Sequence, residues 1–307
     1  MSESRSRGIM GILLMVLVFF IILVVFAFYT VGVFKKNTFQ DNFSNKGGSI
    51  AVVEINGVIM DSKKTIEKLH IAEKDKKYDA IIVRINSPGG AVGPSQEIYH
   101  EIRRIDQDKK SGKPVYSSFG SIAASGGYYI GAAGRKIFSN SGCLTGSIGV
   151  IMQFMDLSKL FKYAKINPNV IKSGKYKDVG QPTRALTRGE KSLMKKLLKG
   201  VHAQFVDDIL LTRKEKIKGN IWAHAQGQVF SGKKALEYGL VDELGGLWEA
   251  GRKIHKELGL KRPFGLSFIK VKKKLSLMEL VEGFDQAAQV ISSGNLFRSI
   301  PMFLYRN

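Results

Sequence analysis

An uninterrupted apolar run from Ile9 to Phe34 constrains this chain more than any other feature. Its 26 residues carry no ionisable side chain except Tyr29. About 20 helical residues, each rising about 1.5 Å, cross the hydrocarbon core of a bilayer. The run therefore predicts one transmembrane helix over 9–34. A cleaved signal peptide has a shorter apolar core and a small-residue cleavage site, whereas the exit here reads Tyr29-Thr30-Val31-Gly32-Val33-Phe34-Lys35-Lys36. A retained anchor is expected, with residues 1–8 before it and a polar linker rich in Asn, Ser, Lys and Gly over 35–48. Arg5 and Arg7 precede the run and Lys35 and Lys36 follow it, so charge bias alone does not choose an orientation.

The chain carries a net charge of +22, from 48 Lys and Arg against 26 Asp and Glu, which favours an anionic partner. Its basic residues are scattered, and the clusters Lys195-Lys196 and Lys272-Lys273-Lys274 lack interleaved aromatic side chains. That is a poor nucleic-acid surface. Beside a membrane anchor, lipid headgroups are the better match. Cys143 is the only cysteine, which excludes an intramolecular disulfide and a cysteine-based metal site. No cofactor and no metal are expected.

Beyond the linker, Ser49–Ile55 reads as a strand closed by the Asn56-Gly57 turn, and Ala80–Ile85 as a buried parallel strand. Helical patterns cover Thr65–Lys77, Glu97–Asp108, Arg188–Thr212 and Val241–Leu258, with a further strand over Pro114–Phe119. Strands alternating with helices predict an α/β fold. Past Arg262 the pattern weakens to a strand-like Phe264–Val271 and a helix over Ser276–Ile291. The expected division is one domain over 49–262 and a C-terminal extension over 263–307, with oligomerisation as its expected role.

Three small-residue segments carry the chemistry. Asn86-Ser87-Pro88-Gly89-Gly90 follows a strand, where paired glycines let a ligand approach backbone N–H groups. Taken alone, it is better read as an ordinary turn. Ala123-Ala124-Ser125-Gly126-Gly127-Tyr128-Tyr129 resembles a relaxed nucleophile elbow, although close helix packing explains it equally well in isolation. Thr145-Gly146-Ser147-Ile148-Gly149-Val150 reads as a turn into a strand.

A serine nucleophile needs a base, and none of His70, His100, His202, His224 and His255 lies in such a setting. A lysine serves only if burial lowers its pKa from about 10.4 to about 7–8, with an acceptor holding the neutral amine. The segment Val170–Asp178, expected as a strand leaving the core through a Ser-Gly turn, offers Lys172, Lys175 and Lys177. Sequence physics does not rank the three.

Together, Asn86–Gly90, Ala123–Tyr129, Leu144–Val150, Ser173–Asp178 and Gly227–Gly246 resemble, in order, the motifs of the signal peptide peptidase A family of bacterial Ser-Lys peptidases. The resemblance spans about residues 49–260. It implies a crotonase/ClpP-like domain of repeated ββα units, with Ser125 as nucleophile and Lys177, 52 positions later, as general base. Ser147 would orient the lysine amine. Gly126 N–H and an N–H of Gly89 or Gly90 would form the oxyanion hole, and substrate would add a strand beside Ser87-Pro88-Gly89-Gly90. It further implies a homo-oligomeric ring whose neighbouring subunits complete the active-site wall. The catalytic domain would lie outside the cytoplasm, acting on remnant signal peptides and membrane-associated or unfolded chains. The rival readings are a crotonase-like acyl-thioester enzyme and a non-catalytic peptide-binding scaffold.

Overall fold

Two β-branched runs organise the main sheet. β1 (Ile50–Asn56) and β2 (Ala80–Ser87) pair in parallel, from Ile50 opposite Ala80 to Asn56 opposite Asn86. Neither strand alternates apolar with polar residues, because both of its faces are covered. Ala51, Val53, Ile55, Ile81, Val83 and Ile85 enter the larger core, whereas Ile50, Val52, Ala80 and Ile82 enter a second core on the other face. Each fully buried Val or Ile contributes about 1.5–3 kcal/mol.

The computed structural model describes Phe19, Ile22, Phe26 and residues 48–108, 112–271 and 302–304. The chain divides into compact units at 1–45 and 46–307. In the first unit, Phe19, Ile22 and Phe26 are helical and exposed. The rest of the expected anchor over 9–34 lies outside the described residues, as does the helix expected over Ser276–Ile291. No described helix is long and apolar enough to cross a membrane.

In chain order, the second unit continues from β1 through α1 (Lys63–Lys74), β2, β3 (Gly89–Ala91), α2 (Val92–Gln107), β4 (Val115–Ala124) and α3 (Gly126–Ala132). After these come β5 (Ile137–Ser139), β6 (Leu144–Gly146), α4 (Ser158–Tyr163), α5 (Arg188–Arg213), α6 (Ile221–His224) and β7 (Val229–Ser231). The chain closes with α7 (Gly232–Glu237), β8 (Glu243–Leu244), α8 (Leu247–Glu257), β9 (Leu266–Phe268) and β10 (Met302–Leu304). The main sheet runs β7-β6-β4-β2-β1-β9, with β5 and β8 branching from β4. Its parallel centre and helical covering are those of an α/β domain, as the alternation of strands and helices predicts. β2-β3-α2 is one intact ββα unit.

β4 decides where the chemistry can sit. Its first half pairs with β5, Ser117 opposite Ile137, while its second half pairs with β6, Ala124 opposite Gly146. On its other side the register to β2 shifts between Ile85 and Ser87, bringing Ser87 opposite Ala123. A register shift of this kind re-aims the strand end. The ends of β2, β4 and β6 consequently meet at one place.

Several local expectations need correction: the helix expected from Val241 starts at Leu247, after β8, and at Thr145–Val150 the strand β6 precedes the turn. α2 begins at Val92, five residues before Glu97, because Pro94 sits in the first turn where its missing N–H costs nothing. β4 extends to Ala124, beyond Phe119, because β6 supplies a second partner. Residues 170–172 form no strand; they have no ladder partner, and Ile171 is 97% exposed.

Candidate active site

The turn from β4 into α3 places Ser125 between a strand end and a helix start. Its φ of 53° and ψ of −116° are unfavourable for a residue with a side chain. Such strain costs about 1–3 kcal/mol and persists only where the surroundings enforce it. Here Ser125 N–H donates to Gly146 O at 2.8 Å, and Tyr129 N–H donates to Ser125 O at 2.8 Å. The next turn is clamped too: Tyr128 hydroxyl donates to Leu240 O at 2.9 Å, and Tyr129 hydroxyl to the Asp208 carboxylate. Ser125 is 1% exposed, and its Oγ makes no hydrogen bond to any described residue. A buried hydroxyl left unpaired on a strained turn calls for a functional explanation.

The small residues around Ser125 do the packing that the alternative reading required. A Cβ on Gly127 would stand 2.7 Å from Ser87 O, and one on Gly131 would stand 2.3 Å from the Phe119 ring. Packing and nucleophile geometry thus share one motif. Gly126 opens α3, where the first N–H groups of a helix have no intrahelical acceptor.

β6 carries Ser147 to the same strand ends. Thr145 Oγ1 donates to Ala123 O at 2.7 Å, tying β6 to β4 directly before Ser125. Ser147 follows with φ of 50°, donating its N–H to Gln228 O at 2.6 Å.

Pro88 separates β2 from β3, and Ser87 Oγ accepts Gly89 N–H at 3.1 Å. Ile59 N–H donates to Gly89 O at 2.9 Å, and Ala91 N–H donates to Ile59 O at 2.7 Å. Backbone groups alternate along a strand, so Gly90 directs its N–H and C=O away from Ile59. Of the two glycines, Gly89 has its N–H engaged, and Gly90 offers the outward donor. A Cβ at Gly90 would lie 2.0 Å from Ile59 O, which explains the glycine.

The structure does not join Lys177 to this group. Lys177 is exposed, in a turn where its N–H donates to Gly174 O at 3.1 Å. Its neighbours do separate the three lysines. Lys172 Nζ is bound to Asp178 Oδ1 at 2.5 Å, and Lys175 Nζ lies 5.4 Å from the Tyr176 ring centroid. Neither contact involves Lys177.

Sequence reading missed the ionic knot behind that turn. The buried Asp178 is held by Lys172 and by Arg184 Nε at 3.0 Å. Arg184 also forks onto Glu190, with contacts of 2.8 and 2.6 Å. Glu190 completes a capping box with Thr187 at the start of α5. The Thr187-Arg188-Gly189-Glu190 spacing was the available signal.

Other candidates fall away. Burial pushes the Cys143 thiol up to about 11, leaving little thiolate near neutrality. His70 meets Glu101 at 2.7 Å, His224 stacks on Tyr238, His255 meets Arg262 O, and His202 and His100 contact Trp222 and Tyr99 edge-on. His70, Glu73 and Glu101 converge closely enough for a cation, but Arg104 already bonds both carboxylates.

Known proteins resemble the chain over most of its second unit. The family model for peptidase family S49 matches residues 107–261, and that for Clp protease matches 49–145. A Synechocystis protein named as a protease is 41% identical over 200 residues, covering 64% of this chain and 69% of its own. An Enterococcus faecium protein named as a signal peptide peptidase is 30% identical over 243 residues, covering 75% of this chain and 69% of its own. The chloroplastic serine protease SPPA of Arabidopsis thaliana is 36% identical over 209 residues, covering 66% of this chain and 30% of its own.

Proposed function

From the premise that this chain belongs to peptidase family S49 and is a serine peptidase, we propose that Ser125 is its nucleophile and Lys177 its general base. The observation carrying the assignment is the strained β4–α3 turn that holds a buried, unpaired Ser125 Oγ. Neutral Lys177 Nζ takes the Ser125 hydroxyl proton as Oγ attacks the scissile carbonyl carbon. The tetrahedral oxyanion accepts hydrogen bonds from Gly126 N–H and Gly90 N–H. On collapse, the C–N bond breaks, and the lysine ammonium returns its proton to the departing amine. Water, deprotonated by the again neutral Lys177 Nζ, then attacks the acyl ester carbon; the C–Oγ bond breaks, and the lysine ammonium returns the proton to Ser125 Oγ. Ser147 accepts a hydrogen bond from the lysine and orients it. One oxyanion donor is worth about 2.7–4 kcal/mol in the transition state.

This chemistry requires a buried lysine, and the exposure of Lys177 in a single chain defines what is missing. The surrounding segment leaves large apolar side chains uncovered: Tyr163 is 88% and Ile171 97% exposed. A second copy packed over it, as in a homo-oligomeric ring, would desolvate Lys177 and bring it to Ser125. The run 9–34 and the charge of +22 support a single-pass plasma-membrane anchor, and the resemblance to the signal peptide peptidase A family supports a catalytic domain outside the cytoplasm. Its substrates are then extended peptides, namely remnant signal peptides and membrane-associated or unfolded chains.

Cleavage of casein and of a signal-peptide remnant tests the assignment. Ser125→Ala and Lys177→Ala should each reduce kcat by about 10⁴-fold or more. Retention of cleavage by either variant would refute it.

A further inference from the structure

The parallel strands bring one end to the candidate active site and leave the other end free of it, and the two ends differ in charge. At the C-terminal ends of β1, β2, β4 and β5, the connections 57–62, 88, 125 and 140–143 carry one charged side chain, Asp61. At the N-terminal ends of β2, β4, β5 and β9, the connections 75–79, 108–114, 133–136 and 258–265 carry nine Lys and Arg against three Asp. Two of the nine, Lys109 and Lys110, enter the count from sequence and lie outside the described residues. Local pairing accounts for part of the excess. Lys77 pairs with Asp75 at 2.8 Å, Arg262 with Asp79 at 3.2 Å, and Arg135 and Lys136 with Asp106 and Glu257. Lys113 Nζ closes α1 by donating to Ala72 O at 2.9 Å and Asp75 O at 2.6 Å. Lys76, Lys261 and Lys74, in the last turn of α1, are exposed and have no carboxylate partner among the described residues.

These lysines share one patch. Arg262 Nη1 donates to Lys77 O at 2.6 Å, joining the connection before β9 to the one before β2. Asp79 N–H donates to Ser49 O at 2.7 Å, and a Cβ on Gly48 would stand 2.2 Å from the Gly265 carbonyl carbon. The chain therefore enters the unit beside the patch. Thirteen residues, 35–47, separate that entry from the apolar run 9–34. Fully extended, they reach at most about 45 Å.

We propose that this end of the sheet docks on anionic phospholipid headgroups, with Lys74, Lys76 and Lys261 as contacting side chains. The inference rests on the reading of 9–34 as a membrane anchor. Lysine is a flexible, strongly hydrated point charge, which suits a fluid headgroup layer better than one fixed ligand. Tyr78, between Lys77 and Asp79, is buried and offers no face on which a nucleic-acid base could stack. A tether this short makes docking intramolecular, at an effective concentration on the order of mM, so a few charges suffice. Ser125 follows the far end of β4, whose ten residues span about 30 Å. The docked enzyme holds its nucleophile at about that height and reaches only chain that has left the bilayer.

The test is amine acetylation of the full chain in nanodiscs, read residue by residue by mass spectrometry. One set of discs holds phosphatidylcholine alone, and the other adds phosphatidylglycerol. If the patch is docked in about nine molecules of ten, Lys74, Lys76 and Lys261 should react about tenfold more slowly in the anionic discs. Lys63 and Lys64, exposed at the opposite end of α1, should react equally in both. Salt at about 1 M, where the screening length is about 3 Å, should erase the difference. In a chain carrying both Lys76→Glu and Lys261→Glu, Lys74 should lose its protection. Equal rates at Lys76 and Lys261 in both discs, or equal slowing at Lys63 and Lys64, would overturn the inference alone if the chain resists alkaline carbonate extraction from vesicles of these lipids. Protection of Lys74 that survives in the double variant would overturn it too. Release of the chain by carbonate would overturn the anchor reading and this inference with it.

Discussion

Ser125 occupies a backbone conformation that glycine adopts freely and serine does not. Ser125→Gly should therefore abolish peptide cleavage while raising the stability of the peptidase unit. The relieved strain of about 1–3 kcal/mol exceeds the added chain entropy of about 0.5–1 kcal/mol. A higher melting temperature checks this, and a lower one would mean that the turn stores no strain. Gly90 makes the opposite case. Gly90→Ala would drive a Cβ into the Ile59 backbone, costing about 1–3 kcal/mol of stability. It should also lower kcat more than it changes KM, because the outward N–H moves. Both residues were visible in the sequence as members of small-residue runs. Their positive-φ and close-approach demands were not, since these depend on β6 and Ile59, which arrive from elsewhere in the chain.

Among the elements, α5 is fixed at both ends by charge. At its C-terminal end the fully buried Arg213 donates to Asp242 Oδ2 at 2.9 Å and to Gly239 O at 2.9 Å. Asp242 in turn accepts Ile137 N–H from β5 at 2.7 Å. Asp242→Ala leaves that guanidinium buried and unpaired, and should cost about 3–5 kcal/mol, read from thermal or denaturant unfolding. At the N-terminal end the Arg184 guanidinium, with help from Thr187, holds the Glu190 carboxyl down to about 2. Lys172, then Arg184, hold Asp178 below the usual carboxylate range. With folded values depressed, this knot's stabilisation is present in full above about pH 4.5 and lost as pH falls through about 2. Because Asp178 adjoins Lys177, Asp178→Ala should lower kcat about 100-fold by loosening the turn, with a smaller effect on melting.

The elements also show what sequence patterning reveals. β1 and β2 are legible because β-branched runs buried on both faces have few alternatives. The division of β4 between β5 and β6 is invisible, because it depends on pairing with segments that follow it. Val170–Ile171 has strand-like composition but finds no ladder, so propensity alone misleads there.

For the whole molecule, the decisive asymmetry is that Ser125 is buried and Lys177 is exposed within one chain. Motif order named both residues, but packing within one chain buries only the serine. The proposed assembly predicts that the protein is larger than one chain by light scattering. Ile171→Asp should reduce both assembly and cleavage while leaving the core fold intact. The most direct test is covalent labelling with a fluorophosphonate, followed by mass spectrometry, of wild type and Lys177→Met. The account predicts an adduct on Ser125 in wild type that is lost or greatly slowed in Lys177→Met. An adduct on another residue, or equal labelling without the lysine amine, would contradict it.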